Sequence, residues 1–201
     1  MMTAKNSTLI KALEDLDERL YVKYKGNIKP IELNVVGGFA LMMNKIRLNP
    51  NEFTDIDYIG EDFSEDIKEI IDEVGMQYNL GRKWINNDVL LSGSSLEDIE
   101  FAVGKLSFNK SLVLRVFIIN ILIPEDLLRM KVIAVDTSLM GADLGGEFTR
   151  TKDFKDIKSL MEFLNYDMPM LVKETSDYVL EKDTFKLINE YILTGKNRFI
   201  N

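Results

Sequence analysis

The sequence predicts an α/β core followed by a helical C-terminal region, and three observations carry that prediction. Short runs rich in β-branched residues, typical of strands, alternate with longer segments whose apolar residues have helical spacing. Near the C-terminus only the helical spacing continues. The chain has 201 residues and 46% hydrophobic content, which suits one domain or one domain with a small appendage.

The first half of the chain is predicted to alternate helices and strands. An amphipathic helix, LIKALEDLDERL, is followed by a short strand, IELNVVGG, and by an apolar helix, FALMMNKI. Gly37 and Gly38 therefore stand at a strand-to-helix turn. The segment FTDIDYI alternates like a second strand, and EDFSEDIKEIIDEV returns to helical spacing.

The second half contains one long apolar run and then helices. Short strands and turns are predicted for residues 75–108, and the run SLVLRVFIINILI at residues 111–123 predicts one core strand. Pro124 begins a helix with acidic residues in its first turn. A glycine-rich loop, GADLGGEFTRTK, separates this helix from the helices that close the chain.

The composition excludes several kinds of chemistry. The chain has no cysteine and no histidine, which excludes disulfides, thiolate metal sites, imidazole bases and zinc clusters built on these residues. Acid–base and metal chemistry must therefore use carboxylates. No uninterrupted apolar run approaches the ~20 residues that a membrane span requires, so the sequence predicts a cytoplasmic protein with no membrane partner.

Charge is distributed unevenly along the chain. The formal net charge is −8, and residues 51–100 contain 14 Asp and Glu against three Lys and Arg, a local net of −11. Such a surface repels polyanions and favours a cationic substrate or bound Mg²⁺. The alternative is an acidic face that serves only to keep the protein in solution.

Asp55 and Asp57 flank one isoleucine in a predicted strand. Residues two apart on a strand project to the same face, where two carboxylates repel unless a cation or proton is shared. Mg²⁺ prefers such oxygen ligands. The backbone N–H groups of Gly37 and Gly38, ahead of a helix, suit phosphate oxygens. Taken alone, each motif has an ordinary alternative: Asp-x-Asp is often solvent-facing or calcium-like, and Gly-Gly is usually only a turn.

Together the two motifs, GGFAL at residues 37–41 and TDID at residues 54–57, resemble the signature of the nucleotidyltransferase superfamily, which has the polymerase-beta-like fold. Three later segments are similar to its small bacterial branch related to AbiEii-type toxins: WINND, PEDLLRMK and KDFKDI. The resemblance implies a small mixed sheet flanked by helices. It divides the chain into an N-terminal helix at residues 1–30, an α/β core at 31–150 and a helical region at 151–201.

The resemblance also implies roles for particular residues. Asp55 and Asp57 become catalytic Mg²⁺ ligands, Gly37 and Gly38 the turn that holds the nucleotide phosphates, and Lys131 a counter-charge for the triphosphate. Lys131 can equally be an ordinary surface lysine. Asp153 and Asp156 share a helical face, and either approach the site or cap and solvate their helix. Trp84 is expected in the core more than at a base-stacking position.

Two departures from the family pattern bear on activity. Many relatives carry arginine where this chain has Glu52, and Arg47 is out of register with that position. Active members also present a third carboxylate from a neighbouring strand, whereas the run from Leu112 to Ile123 contains no acid. We expect Glu100 to supply the third catalytic carboxylate, because DIEFAV alternates like a strand beside TDIDYI; Asp88 is the alternative.

Three functions follow from the resemblance and the departures. The leading hypothesis is an Mg²⁺-dependent nucleotidyltransferase that moves a nucleoside monophosphate from NTP to RNA, protein or a small molecule, as in a toxin–antitoxin system with a cognate antitoxin as partner. The second is a degenerate member that binds nucleotide or a partner without catalysis. The third is a structural or antitoxin-like binding protein on the same fold. The sequence does not identify the acceptor, the NTP or the oligomeric state.

Overall fold

The computed structural model describes residues 8–46, 55–88 and 96–200, and in these ranges the chain forms eight helices and five strands. The chain divides into two compact units, residues 1–123 and residues 124–201. The first contains the whole sheet and the second is helical. The predicted α/β fold with a helical C-terminal region is therefore confirmed.

The first unit alternates helices and strands as far as β3, as the hydrophobic spacing predicts. Its elements are α1 (Thr8–Lys23), β1 (Ile31–Val35), α2 (Gly37–Met43), β2 (Ile56–Ile59), α3 (Glu65–Gln77), β3 (Ile85–Asn86), α4 (Leu96–Val103), β4 (Phe108–Val113) and β5 (Phe117–Leu122). The strands form one mixed sheet in the order β3-β2-β1-β5-β4. Strand β1 runs antiparallel to β2 and parallel to β5, while β3 is parallel to β2 and β4 antiparallel to β5.

The two faces of the sheet differ in polarity. Leu33 and Val35 of β1 are fully buried, while Asn34 between them faces the other side and is half-buried. Asn34 is in register with Ile59 on β2 and with Asn120 on β5, so these three side chains share a face. Asp57 lies two residues before Ile59 and therefore belongs to this more polar face.

The run at residues 111–123 forms a hairpin and not the single core strand that its composition predicts. Strand β4 ends at Val113, the chain turns, and β5 begins at Phe117. Asp17 on α1 explains the turn, because its buried carboxylate accepts hydrogen bonds from the backbone N–H groups of Arg115, Val116 and Phe117 at 3.1, 2.7 and 3.1 Å. An acid far away in sequence thus holds the turn at Arg115, the charged residue in the middle of the run.

The second unit consists of helices. They are α5 (Pro124–Asp143), α6 (Thr151–Leu164), α7 (Met168–Glu174) and α8 (Lys182–Thr194). Helix α5 packs against α6 and α8, so it belongs with the helical unit, and the break lies at residues 123/124 where the sequence suggested 150/151. None of the helices in the described part of the chain combines the length and apolar character needed to cross a membrane.

Candidate functional site

The turn between β1 and α2 is shaped by one glycine. Strand β1 is followed by Val36, the N-cap residue of α2, whose N–H donates to the carbonyl oxygen of Asp57 at 2.9 Å. Gly37 follows with φ +64°, a left-handed backbone that side-chain-bearing residues rarely adopt. Gly38 lies inside α2 and is not among the residues with positive φ, so Gly37 is the position whose backbone requires glycine.

Asp57 packs against this turn. A Cβ atom added to Gly37 would lie 2.3 Å from the Oδ2 atom of Asp57, so the close approach of the carboxylate depends on the absence of a side chain. The glycine motif and the Asp-x-Asp motif, 20 residues apart in the chain, therefore meet at one point in the fold.

Asp55 and Asp57 enclose Ile56, which is fully buried. Asp57 lies on β2, and Asp55 immediately precedes the strand. Both acids are half-buried, whereas Ile56 is part of the core. The two acids thus flank a core residue at the start of β2, as the alternation in the sequence predicts. Thr54, Glu52 and Arg47, which entered the comparison with the family pattern, lie outside the described residues.

Asn86 on β3 lies directly across from Asp57 in the parallel β2–β3 pair. Its amide Nδ2 donates to the Oδ1 atom of Asp57 at 3.3 Å. Asn86 lies in the WINND segment, but the sequence does not mark it as a site residue. The only available signal was its polarity beside the buried Trp84 and Ile85, and that signal does not indicate which residue of β2 it faces.

The two acids considered as a third carboxylate have other partners. Glu100 lies on helix α4, so the expectation of a strand beside β2 is wrong, and its Oε1 accepts from the backbone N–H of Leu106 at 2.9 Å. Asp88 is exposed and pairs with Lys83 at 2.8 Å. In residues 8–46, 55–88 and 96–200, no three acidic side chains come together in a group that could hold a metal ion.

Lys131 lies in the helical unit, within a buried ionic cluster. Its Nζ contacts Asp153 at 2.5 Å and Asp156 at 3.1 Å, and both carboxylates are almost completely buried. Burial lowers the pKa of Lys131, but attraction to the two carboxylates outweighs it and raises the pKa above its ordinary value. Lys131 is therefore not a surface lysine, and Asp153 and Asp156 do not solvate their helix. A role of Lys131 towards a triphosphate stays a prediction.

Trp84 occupies the core, as expected. It is 1% exposed, and its indole Nε1 donates to the carbonyl oxygen of Ile71 on α3 at 2.7 Å. This bond fixes the start of β3 against α3, since Ile85 and Asn86 follow directly in sequence. Trp84 thus helps to position Asn86 and does not serve as a platform for a base.

The donor set of the site fits Mg²⁺ only together with further ligands. Mg²⁺ is usually bound in proteins by one or two carboxylates plus water and substrate phosphates. Asp55 and Asp57 meet that requirement, and glycine at position 37 allows the Asp57 carboxylate to lie against the backbone at the start of α2. We therefore expect metal binding at this place to depend on a phosphate-bearing ligand.

Comparisons of the chain with protein-family models, with curated proteins and with solved structures returned no match in any of the three.

Proposed function

We propose that this protein binds a nucleoside triphosphate together with Mg²⁺ beside Gly37, Asp55 and Asp57, on a nucleotidyltransferase-like fold. One observation carries the proposal: the Asp57 carboxylate lies against the backbone of Gly37 so closely that a Cβ atom there would be 2.3 Å from Oδ2. The two motifs that resemble the superfamily are thereby adjacent, as a shared phosphate and cation site requires.

In this proposal each residue has a distinct task. Asp55 and Asp57 would hold Mg²⁺, which when bound neutralises phosphate charge and polarises the phosphoryl group. The turn at Gly37 would bring backbone close to the phosphates without steric hindrance. Transfer would join an acceptor atom to the α-phosphorus and release pyrophosphate, and a base must take the proton of the acceptor.

The lack of an assigned base leads to a second candidate function. Glu100 caps the chain after α4 and Asp88 pairs with Lys83, so neither expected acid is supported as a third carboxylate. Across from Asp57 the adjacent strand carries an amide, Asn86, in place of an acid. These observations favour a protein that binds nucleotide without transferring it, or that binds a partner such as a cognate antitoxin.

If transfer takes place, the charge distribution along the chain indicates which kinds of acceptor the protein favours. The excess of acids in residues 51–100, which include β2, α3 and β3, opposes a broad RNA footprint on these elements and favours a small or cationic acceptor. Lys23, Lys25 and Lys29 lie outside this stretch and keep an RNA or protein acceptor open.

The binding step is tested by titrating ATP into the protein by calorimetry, with Mg²⁺ and with EDTA. We expect binding only with Mg²⁺, and loss of at least about tenfold in affinity for Asp57→Asn, since one carboxylate ligand is removed. The fold should persist, because an asparagine oxygen can still accept from Asn86. Asp62→Asn is the matched control, as Asp62 is exposed and pairs with Lys68 at 2.7 Å. Equal affinity of Asp57→Asn and the unmodified protein would refute the proposed site.

Transfer is tested separately with α-labelled NTP, Mg²⁺ and cell extract. Label appearing on RNA, protein or a small molecule, and absent with Asp57→Asn, supports the transferase. Magnesium-dependent binding with no label transferred supports the binding-only function. Absence of both would refute the nucleotide proposal and leave the third hypothesis, a structural or antitoxin-like binding protein.

A further inference from the structure

The environment of Asn86 defines which of its atoms faces Asp57. Its Oδ1 accepts from the backbone N–H of Asp88 at 3.0 Å, and its Nδ2 donates to the carbonyl oxygen of Lys83 at 3.2 Å and to Asp57 Oδ1 at 3.3 Å. A flipped amide would place an oxygen against two acceptors and a nitrogen against a donor. The amide nitrogen is therefore fixed towards the carboxylate.

Asp57 is consequently held on both sides. Asn86 contacts Oδ1, while Oδ2 lies against the Gly37 backbone, and β2 and β3 are hydrogen-bonded neighbours in register at these residues. A carboxylate oxygen can accept from more than one group, so the bond from Asn86 orients Asp57 and still leaves it able to bind a cation.

We propose that Asn86 is the positioning residue of the site: it orients Asp57, and its amide nitrogen occupies the place where a third carboxylate would complete a site for a divalent cation. This inference rests on the proposed function, in which Asp57 is a Mg²⁺ ligand. It accounts for the lack of a three-acid group among the described residues, since the neighbour facing Asp57 is a neutral donor.

The key variant is Asn86→Asp, studied in the full chain with Mg²⁺ or Mn²⁺ alone. It replaces a donor at 3.3 Å from Asp57 Oδ1 by a second carboxylate, so the two charges repel until a cation is bound. Asn86 also lines a surface cavity of about 450 Å³, so its side chain can be reached from solvent. We expect a lower melting temperature in EDTA and a rise of about 5–10 °C at a metal concentration about 100-fold above Kd.

Asn120→Asp is the matched control. Asn120 is likewise half-buried on the same sheet, and its amide donates to Asn34 Oδ1 at 3.1 Å, but its strand is separated from β2 by β1. The same change of charge there should give no stabilisation by metal. Asn86→Ala, which loses the donor without gaining a charge, should likewise show no metal-dependent rise.

A second variant keeps the test decisive if Asn86→Asp alone does not fold. Combining it with Asp57→Asn restores one amide opposite one carboxylate, so the double variant should fold and recover the part of the lost melting temperature that comes from repulsion between the two carboxylates. The inference is overturned if neither metal nor Asp57→Asn relieves Asn86→Asp, or if Asn120→Asp responds to metal equally.

These measurements use no nucleotide, so the two proposals can fail separately. A metal-dependent rise in Asn86→Asp without any ATP binding by the unmodified protein would leave the role of Asn86 intact and refute the nucleotide function. Magnesium-dependent ATP binding by the unmodified protein, with no metal response in Asn86→Asp, would support the nucleotide function and refute the role of Asn86. Where ATP binds, Asn86→Ala should weaken binding in Mg²⁺ because Asp57 is no longer oriented.

Discussion

At the scale of single residues, the two glycines of the β1–α2 turn have unequal roles. Gly37 has a positive φ and lies against Asp57, while Gly38 is already helical. The sequence predicts that both glycines belong to a phosphate turn and gives no reason to expect different roles for them. The difference matters for mutagenesis, because only the first position combines backbone strain with contact to the proposed metal ligand.

We expect Gly37→Ala to be damaging and Gly38→Ala to be tolerated. Alanine at position 37 is strained by about 1–2 kcal/mol in the left-handed region, and its Cβ must displace the Asp57 carboxylate. Thermal unfolding should show the loss of stability, and calorimetry with Mg²⁺ and ATP should show lost binding. Equal behaviour of the two variants would mean that the turn has no special conformation at Gly37.

At the scale of elements, the β4–β5 hairpin depends on a carboxylate from α1. Asp17 is only 5% exposed and accepts three backbone N–H groups of the turn. The adjacent Glu18 contacts the same turn through the exposed side chain of Arg115. The two acids therefore differ in burial while touching the same place, which makes them a matched pair for mutagenesis.

We expect Asp17→Ala to destabilise the protein by about 2–4 kcal/mol, because buried donors lose a charged acceptor. Glu18→Gln should cost less than about 1 kcal/mol, as exposed ion pairs contribute little. Chemical denaturation measures both, and hydrogen exchange should place the loss caused by Asp17→Ala at residues 108–122. A comparable effect of the two variants would contradict the assignment of Asp17 as the anchor of the hairpin.

At the scale of the whole molecule, the two units rely on different polar interactions. The first contains the sheet and the candidate site, and the second contains the cluster of Lys131, Asp153 and Asp156. Removing Lys131 would take the nearest cation away from two buried carboxylates, although Arg150 Nη1 stays 3.9 Å from Asp153 Oδ2, and we expect this to cost more than losing a surface pair. The cluster thus offers a test of stability that is independent of the candidate site.

We expect Lys131→Met to destabilise the protein by about 3–5 kcal/mol at neutral pH. Because the pKa of Lys131 is raised on folding, the pairing contributes fully below the unfolded value near 10.4 and is lost as pH rises through the folded value. The difference in melting temperature between the two proteins should therefore be constant from pH 7 to 9 and shrink at higher pH. The same difference at pH 11 would contradict the ionic role of Lys131.

The candidate site could be predicted in part from sequence. Alternation in TDIDYI places Asp55 and Asp57 around a buried isoleucine, and β-branched residues followed by Gly-Gly predict the turn at Gly37. Glu100 was misassigned because an alternating segment of six residues is compatible with a helix as well as a strand. Asn86 could not be found, because strand register depends on contacts between distant segments.

The fold class, the helical C-terminal region and the two motifs of the candidate site follow from local spacing and composition. Tertiary structure alone decided that the run at residues 111–123 is a hairpin, that Asn86 faces Asp57 and that Lys131 is paired with Asp153 and Asp156. Each of these depends on a contact between a buried or half-buried polar group and a partner far along the chain. A polar group that leaves water must be paired, but the local sequence pattern does not identify the residue with which it pairs.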